Sequence, residues 1–448
     1  MPLHRFTQRL CVAAGTLAYA GVFAWTLATI IVPNYQYMGY LQAPRSLGAG
    51  VALFLVAWLP GLWLPSRVTK PSQVSCWLLY LLLYVPAMLV PYFAVPIRQD
   101  RILPLALCLL ICYVLLSLVP ILPRMSIVRL NLGPRTYWLL IAGMSAVFLG
   151  VVIVEFGIQL EGLSLENVYA LRGEFRQARE SSGALAPYFL SWQSKVLNPL
   201  LIAYGLTRRN AFALAVGVLL QVYVFSITGQ KSVFLSPLLV GGAWIALLRG
   251  GRLFGSLAAW GAAGLLTVCS FIAVVGEPIF GLADPMRPVS LLVRRLLATP
   301  GLLTGYYYDF FSVNPKAHLG HSILKGAVEY PYALPPPQLI GSTYFEHIGT
   351  VPIAANANFW ADGYANFGFP GVIGATVLLA AVLWLLDRLS DGPRGLIACL
   401  LVAFPTYSLA NTAVLTALLT HGIGLLVVVL YFIPWTLNEA SPQQASNN

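Results

Sequence analysis

Apolar stretches alternate with short polar turns along most of the chain, and two long polar segments interrupt that rhythm. A bilayer span needs roughly 20 apolar residues. Stretches that meet or approach this length lie at about 11–32, 47–64, 75–96, 102–123, 136–158, 191–206, 210–228, 232–248, 253–276, 367–386, 395–411 and 413–435. The pattern predicts an all-α, polytopic integral membrane protein, a single transmembrane domain over residues 1–448 with about 12 transmembrane helices. The least apolar stretch is 191–206, which carries Lys195 and Asn198, and 395–411 is short. The two polar segments are 159–194 and 277–366.

Composition sharpens this picture. The chain is 58% hydrophobic and 9% charged, with a mean hydropathy of +0.78, which excludes a soluble domain. The N-terminus runs into a full-length apolar stretch without a small-residue cleavage site, so no cleaved signal is expected. Cys11, Cys76, Cys108, Cys112, Cys269 and Cys399 all fall inside apolar stretches, so no disulfide framework is implied. The tail after Glu439 is polar and expected to be disordered. Neither an internal repeat nor a nucleic-acid module is visible, and no nucleic-acid partner is expected.

The net charge of +11 is read first as topology. With the N-terminus inside, the short cytoplasmic segments hold Arg5, Arg9, Arg67, Lys70, Arg124, Arg129, Arg135, Arg208, Arg209, Arg249, Arg252, Arg388 and Arg394. The short external segments hold only Arg45, Arg98, Arg101 and Lys231. Both termini are therefore expected in the cytoplasm and both long segments outside. The basic residues of the long segments are left unexplained by this rule.

Segment 159–194 places Arg172, Arg176 and Arg179 at i, i+4 and i+7, one face of a helix. Ser164 suits an N-cap, Glu166 the first turn and Gly183 the C′ position. Cations aligned beside a membrane surface suit an anionic ligand, and equally an interfacial helix touching lipid phosphates. Both readings stay open. Segment 277–366 opens with a helix-start signature, Asp284-Pro285-Met286-Arg287-Pro288, and carries Arg294 and Arg295 into Gly305-Tyr306-Tyr307-Tyr308. It continues through His318, His321, a turn at Pro335-Pro336-Pro337, Glu346-His347 and Asn356-Ala357-Asn358, then reaches Asp362 and Tyr364. His318 and His321, three apart, would share a face if a local helix forms. The tyrosines read either as an interfacial belt or as stacking surfaces for sugar rings.

A third feature is the turn Thr228-Gly229-Gln230-Lys231-Ser232. It lacks the glycine spacing and the βαβ setting of a nucleotide loop. Lys231 reads as a snorkelling anchor or as one more cation for an outer-face site.

Together these residues resemble the bacterial O-antigen polymerases (Wzy-type) of the flippase- and polymerase-dependent polysaccharide pathway, along about 135–436. The resemblance rests on four features. Arg172 and Gly183 share their spacing with Arg294 and Gly305, one pair in each long segment. The 225–232 turn carries Gly-Gln-Lys, and Arg294-Arg295 precede Pro300 and an aromatic helix. Asn356-Ala-Asn358-Phe precedes Tyr364, Gly368 and Gly371. The departure is in span number, since relatives are drawn with more spans than are counted here.

The resemblance implies a GT-C-like fold with two large periplasmic loops, in the bacterial inner membrane. It implies a glycosyltransferase; the sequence has neither a DxD pair nor HExxH, and with cations supplied by arginine the enzyme is expected to be metal-independent and without a cofactor. Its donor and acceptor would both be oligosaccharides on undecaprenyl pyrophosphate, with membrane lipid and a chain-length regulator as further partners. On that reading Arg172, Arg176, Arg179, Arg294, Arg295 and Lys231 would hold the pyrophosphate, where charge develops. Arginine is favoured there for its planar fork. The acceptor hydroxyl needs a base, and His318, His321, Glu346, His347 and Asp362 are candidates. Tyr169, Gly183, Gly305, Tyr306, Asn356, Asn358 and Tyr364 are motif and sugar-binding candidates. An O-antigen ligase, or a flippase for lipid-linked oligosaccharide, remains the alternative. A flippase would carry its basic residues in a central cavity, inside the spans.

Overall fold

The computed structural model describes residues 2–42, 46–123, 125, 127–130, 132–158, 173, 175, 177, 178, 182, 183, 185–345, 354–391 and 394–434. Tyr169, Arg172, Arg176, Arg179, Glu346 and His347 lie outside them.

The described chain is almost entirely helical, with connecting loops. α1 starts at Pro2 and runs through a π turn at Leu27–Ile31 to Asn34. α2 is Leu47–Trp58, α3 Pro71–Ala94, α4 Gln99–Leu118 and α5 Pro134–Phe156. α6 covers 186–208, two α segments joined by the π turn Gln193–Leu197. α7 is Ala211–Thr228, α8 Lys231–Leu247 and α9 Phe254–Phe280. α10 covers 289–313, opening in π geometry over Val289–Ala298. α11 is Pro336–Phe345, α12 Phe359–Leu389, α13 Gly395–Ser408, α14 Val414–Leu419 and α15 Ile423–Phe432.

Every apolar stretch marked in the sequence is largely helical. Among the described residues, 7 helices are long and apolar enough to cross a membrane: those at Phe6–Asn34, Pro71–Ala94, Gln99–Ile121, Pro134–Phe156, Ala211–Thr228, Phe254–Phe280 and Phe359–Leu389. The protein is thus an all-α polytopic membrane protein. The expected twelve spans are reached only in part by this measure. The helices at 47–62, 231–247 and 395–411 are shorter, and α6 is interrupted by buried polar side chains. The stretch 413–435 breaks into α14 and α15 at Gly422, whose φ of +84° is open to glycine but strained for other residues.

α3 forms the centre of the bundle: 89% of its apolar window is buried, against 28% for α5 and for α9, which therefore face lipid. α10 packs on α3 through Gly301 and Gly305. A Cβ at Gly301 would stand 2.4 Å from the Pro86 carbonyl oxygen, and one at Gly305 2.8 Å from Val95. Small residues one turn apart let two helix backbones touch. Gly305 thus has a packing role.

α12 begins eight residues earlier than the apolar pattern predicts. Asn358 caps it, with Oδ1 accepting from the amides of Trp360 (3.0 Å) and Ala361 (3.1 Å). The helix kinks at Phe367–Gly368, where Gly368 has φ +65°. Asp362 therefore stands in the first turn of a helix rather than in a loop.

Candidate functional site

A cavity of about 740 Å³ opens between α6, the α7–α8 turn, the 314–335 loop, the start of α12 and the α14–α15 break. Its polar lining includes Lys195, Gln230, His321, Asn356, Asp362 and His421. Phe175, from the arginine-bearing segment, lines it as well.

α6 supplies the cation. A π turn inserts one extra residue into the helical ladder and re-aims the side chains around it. Lys195 lies in this turn and is 7% exposed. Its Nζ contacts Nδ1 of His421, and no carboxylate among the described residues forms an ion pair with it. The α14–α15 break is held against this turn: Trp192 Nε1 donates to the Leu419 carbonyl at 2.7 Å. A Cβ at Gly422 would stand 2.6 Å from Val196 Cγ2. Close approach of the two backbones is what brings His421 to Lys195.

Beneath Lys195 lies a buried amide network. Gln193 Nε2 donates to Asn198 Oδ1 at 2.6 Å and to Ser145 Oγ at 2.8 Å. Asn198 Nδ2 donates to Gln221 Oε1 at 2.9 Å, and Gln221 Nε2 to the Ser194 carbonyl at 2.9 Å and to Ser236 Oγ. Such a network fixes the shape of a polar wall inside an apolar bundle.

The 314–335 loop supplies His321. The chain takes no helix there. His318 (φ +47°) and Leu319 (φ +58°) are both left-handed, a costly conformation for residues with side chains. Asn366 of α12 holds them: its Oδ1 accepts from the Leu319 amide at 2.8 Å and its carbonyl from the His318 amide at 3.3 Å. The amide of Ala317 donates to the Ala365 carbonyl at 2.9 Å. The two histidines consequently part, which corrects the expectation of a shared helical face. His318 is exposed, its ring 5.6 Å from that of Phe367, whereas His321 lines the cavity. The Nδ1 of His321 is buried without a hydrogen-bond partner, and burial pushes the imidazole below its ordinary pKa.

Of the other sequence candidates, Asp362 and Asn356 join His321 in the cavity lining, and Arg294, Arg295 and Lys231 do not. Arg294 is buried against the Tyr35 ring, 4.8 Å from its centroid, with Nη2 donating to Ser290 Oγ at 2.9 Å. Arg295 is exposed, and Lys231 is half-buried at the start of α8. Tyr306, 1% exposed, donates its hydroxyl to the Gly39 carbonyl at 2.5 Å and packs on Tyr344. It offers no open face to a sugar, which corrects that expectation. Asn358 is likewise consumed by its cap and by Nδ2 bonds to the Pro300 carbonyl and Thr304 Oγ1. Tyr364 is 8% exposed and packs against Tyr308 and Lys316. A Cβ at Gly183 would stand 3.0 Å from Glu155 Oε1.

Lys195 and His421 were not among the candidates read from the sequence. The signal was present: an ionisable residue inside an apolar stretch is costly and marks a functional position. In the sequence Lys195 only weakened the span assignment, and His421 sat unremarked in the last stretch.

Among the described residues no group of three His, Cys, Asp or Glu side chains is arranged to hold a metal ion. No family model matches the chain, and neither a curated protein nor a solved structure matches it.

Proposed function

We propose that the protein is a membrane glycosyltransferase that polymerises undecaprenyl-pyrophosphate-linked oligosaccharide repeat units, in an inner membrane and at its periplasmic face. One observation carries the reading: a single cavity is lined by a buried lysine in contact with a histidine, a second histidine with a buried ring nitrogen, and a carboxylate.

The proposed reaction balances with these groups alone. The anomeric carbon of the growing chain loses its bond to the lipid diphosphate and gains one to a hydroxyl of the incoming repeat unit. His321 takes the hydroxyl proton on its imidazole, and a histidine kept neutral by burial suits that task. Lys195, with Nζ held by His421, meets the negative charge that builds on the departing diphosphate. Asp362 is the only carboxylate among the described lining residues and favours the histidine cation formed by proton transfer. Arg172, Arg176 and Arg179 flank Phe175, a lining residue, and complete the anion site in this proposal.

The test is polymerisation of purified lipid-linked repeat units by the purified protein, run with and without EDTA. A ladder of products supports the reading. Unchanged single units at every enzyme concentration would overturn it, and product lost on EDTA alone would overturn its metal-independent form.

A second reading is a transporter for the same lipid-linked substrate. Lys195, a buried cation within the bundle, favours it. Proteoliposomes that move labelled lipid-linked units across the bilayer without lengthening them would decide for transport.

A further inference from the structure

α12 carries a second polar cluster at its other end. Asp387 and Arg388 lie roughly 38 Å along the helix from Asp362 at 1.5 Å per residue. Asp387 is satisfied, accepting from the Ser72 amide at 2.9 Å and from Ser72 Oγ at 2.6 Å. Arg388 is not. It is 3% exposed, its Nη1 stands 3.7 Å from Asp391 Oδ2, and its Nε and Nη1 have no hydrogen-bond partner. Arg129 donates from Nη2 to the Arg388 carbonyl, and its own Nη1 is buried without a partner. Burial pulls the Arg129 guanidinium below its ordinary pKa, and only Asp391 and Tyr431 oppose this.

A buried guanidinium with empty N–H positions is expensive. Arg129 and Arg388 both carry such positions. An oxyanion accepting from both removes both costs, and the planar fork of arginine suits phosphate oxygens. The surroundings select the carrier of that phosphate. Next to Arg129 the chain exposes Met125 (64%), Val128 (90%) and Leu130 (65%). Trp384 Nε1 donates to the Pro123 carbonyl at 3.2 Å and the Tyr431 hydroxyl to the Val128 carbonyl at 3.1 Å. Both are aromatic types enriched at membrane–water boundaries. Acyl chains cover apolar residues of this kind, while free phosphate leaves them wet. Basic pockets between helix ends bind anionic headgroups on the same physical grounds.

We propose that Arg388 and Arg129 together bind the phosphate of an anionic membrane phospholipid. The site stands apart from the cavity and does not depend on glycosyl transfer.

The test uses the full-length protein in uncharged detergent, titrated separately with dioleoylphosphatidylglycerol, dioleoylphosphatidylcholine and inorganic phosphate. Thermal unfolding and native mass spectrometry are the readouts. Phosphatidylglycerol should raise the unfolding midpoint and persist as a bound adduct. Loss of one charge-assisted contact should raise the lipid concentration for half-effect about 10-fold in Arg129→Gln. Arg388→Gln should do the same where it folds; Arg129 is half-buried and keeps the test open where it does not. Arg252→Gln, at an exposed position, should leave the titration unchanged. An equal response to phosphatidylcholine, a full response to inorganic phosphate alone, or an equal effect of Arg252→Gln and Arg129→Gln would each overturn the proposal.

Discussion

Lys195 and His421 stand 226 residues apart in the chain, yet their side chains meet in the cavity wall. Nζ of Lys195 and Nδ1 of His421 are in direct contact. A lysine held this way is fixed in position, and no acid among the described residues is ion-paired with it. That distinguishes it from a structural ion pair, in which an acid would cancel the charge. The pair therefore suits an anion that comes and goes.

Lys195→Met tests this directly. Replacing a buried cation by an apolar side chain of similar length is often neutral or stabilising, so the midpoint of thermal unfolding should hold or rise. Turnover should fall about 10²–10³-fold, the range seen when one donor to developing charge is lost. A variant that unfolds readily but keeps normal turnover per folded molecule would make Lys195 a packing residue.

His321→Asn should cost about 10²–10⁴-fold in rate if the ring is the general base, with folding intact. The pH dependence follows from the sign of the shift. A histidine whose folded pKa is depressed by burial stays neutral to a lower pH than a free one. The wild-type rate should therefore persist below the ordinary histidine range before it falls. Stability behaves consistently: between the unfolded and folded pKa values the unfolded chain binds more protons, so stability drops as pH falls through that window. His321→Asn should flatten this drop, which unfolding curves at a series of pH values would show.

The turn that delivers His321 is itself testable. His318 occupies the left-handed region at φ +47°, which costs a residue with a Cβ about 1–2 kcal/mol. His318→Gly should stabilise the protein by about 1 kcal/mol and preserve activity. Asn366→Ala removes the acceptor for the Leu319 amide and should lower kcat together with about 1–3 kcal/mol of stability. Loss of activity in His318→Gly would return His318 to the list of candidate bases.

The helices were legible because a run of apolar residues in a membrane protein is a strong signal. Their interruptions were not. Gly422 is an ordinary residue in an apolar run until the backbone of α6 lies against it. Lys195 was visible as a misfit, but its partner lay in another stretch, and contact order that long leaves no local trace. Asn358 shows the opposite failure. Asparagine before Phe-Trp-Ala is a readable N-cap, yet it reads in the sequence as a motif and sugar-binding candidate, while the apolar pattern alone starts α12 too late. The tyrosines were misleading in the same way: Tyr306, Tyr307 and Tyr364 are all buried in packing, although Tyr307, its hydroxyl on the Ala355 carbonyl at 2.8 Å, also borders the cavity.

Arg172, Arg176 and Arg179 flank the cavity residue Phe175 in sequence. Arg172→Ala should abolish polymer while leaving the protein in the membrane. Arg172→Lys should also be poor, because an ammonium cannot make the paired contact of a guanidinium. Arg294→Ala should behave differently. Its guanidinium packs on Tyr35 and bonds Ser290, so the loss should appear as about 1–3 kcal/mol of stability, with turnover per folded molecule retained. A full-length ladder from Arg172→Lys, or a folded but inactive Arg294→Ala, would reverse these two assignments.

The orientation proposed from charge bias has a sharp consequence for accessibility. Ser342 on α11 and Arg252 at the start of the α9 region are both exposed, so neither is shielded by packing. Cys11 is exposed in the wild-type chain and must first be replaced by serine; the buried cysteines can stay. In cells whose outer membrane has been permeabilised, Ser342→Cys should react with a membrane-impermeant thiol reagent. Arg252→Cys should react only after the inner membrane is opened, because the positive-inside rule puts it in the cytoplasm. The cavity receives its walls from loop 314–335 and the start of α12, on the same external side as Ser342 in this topology. Labelling of Arg252→Cys alone in intact inner membranes would turn the molecule over, put the cavity in the cytoplasm, and remove the proposed periplasmic polymerisation with it.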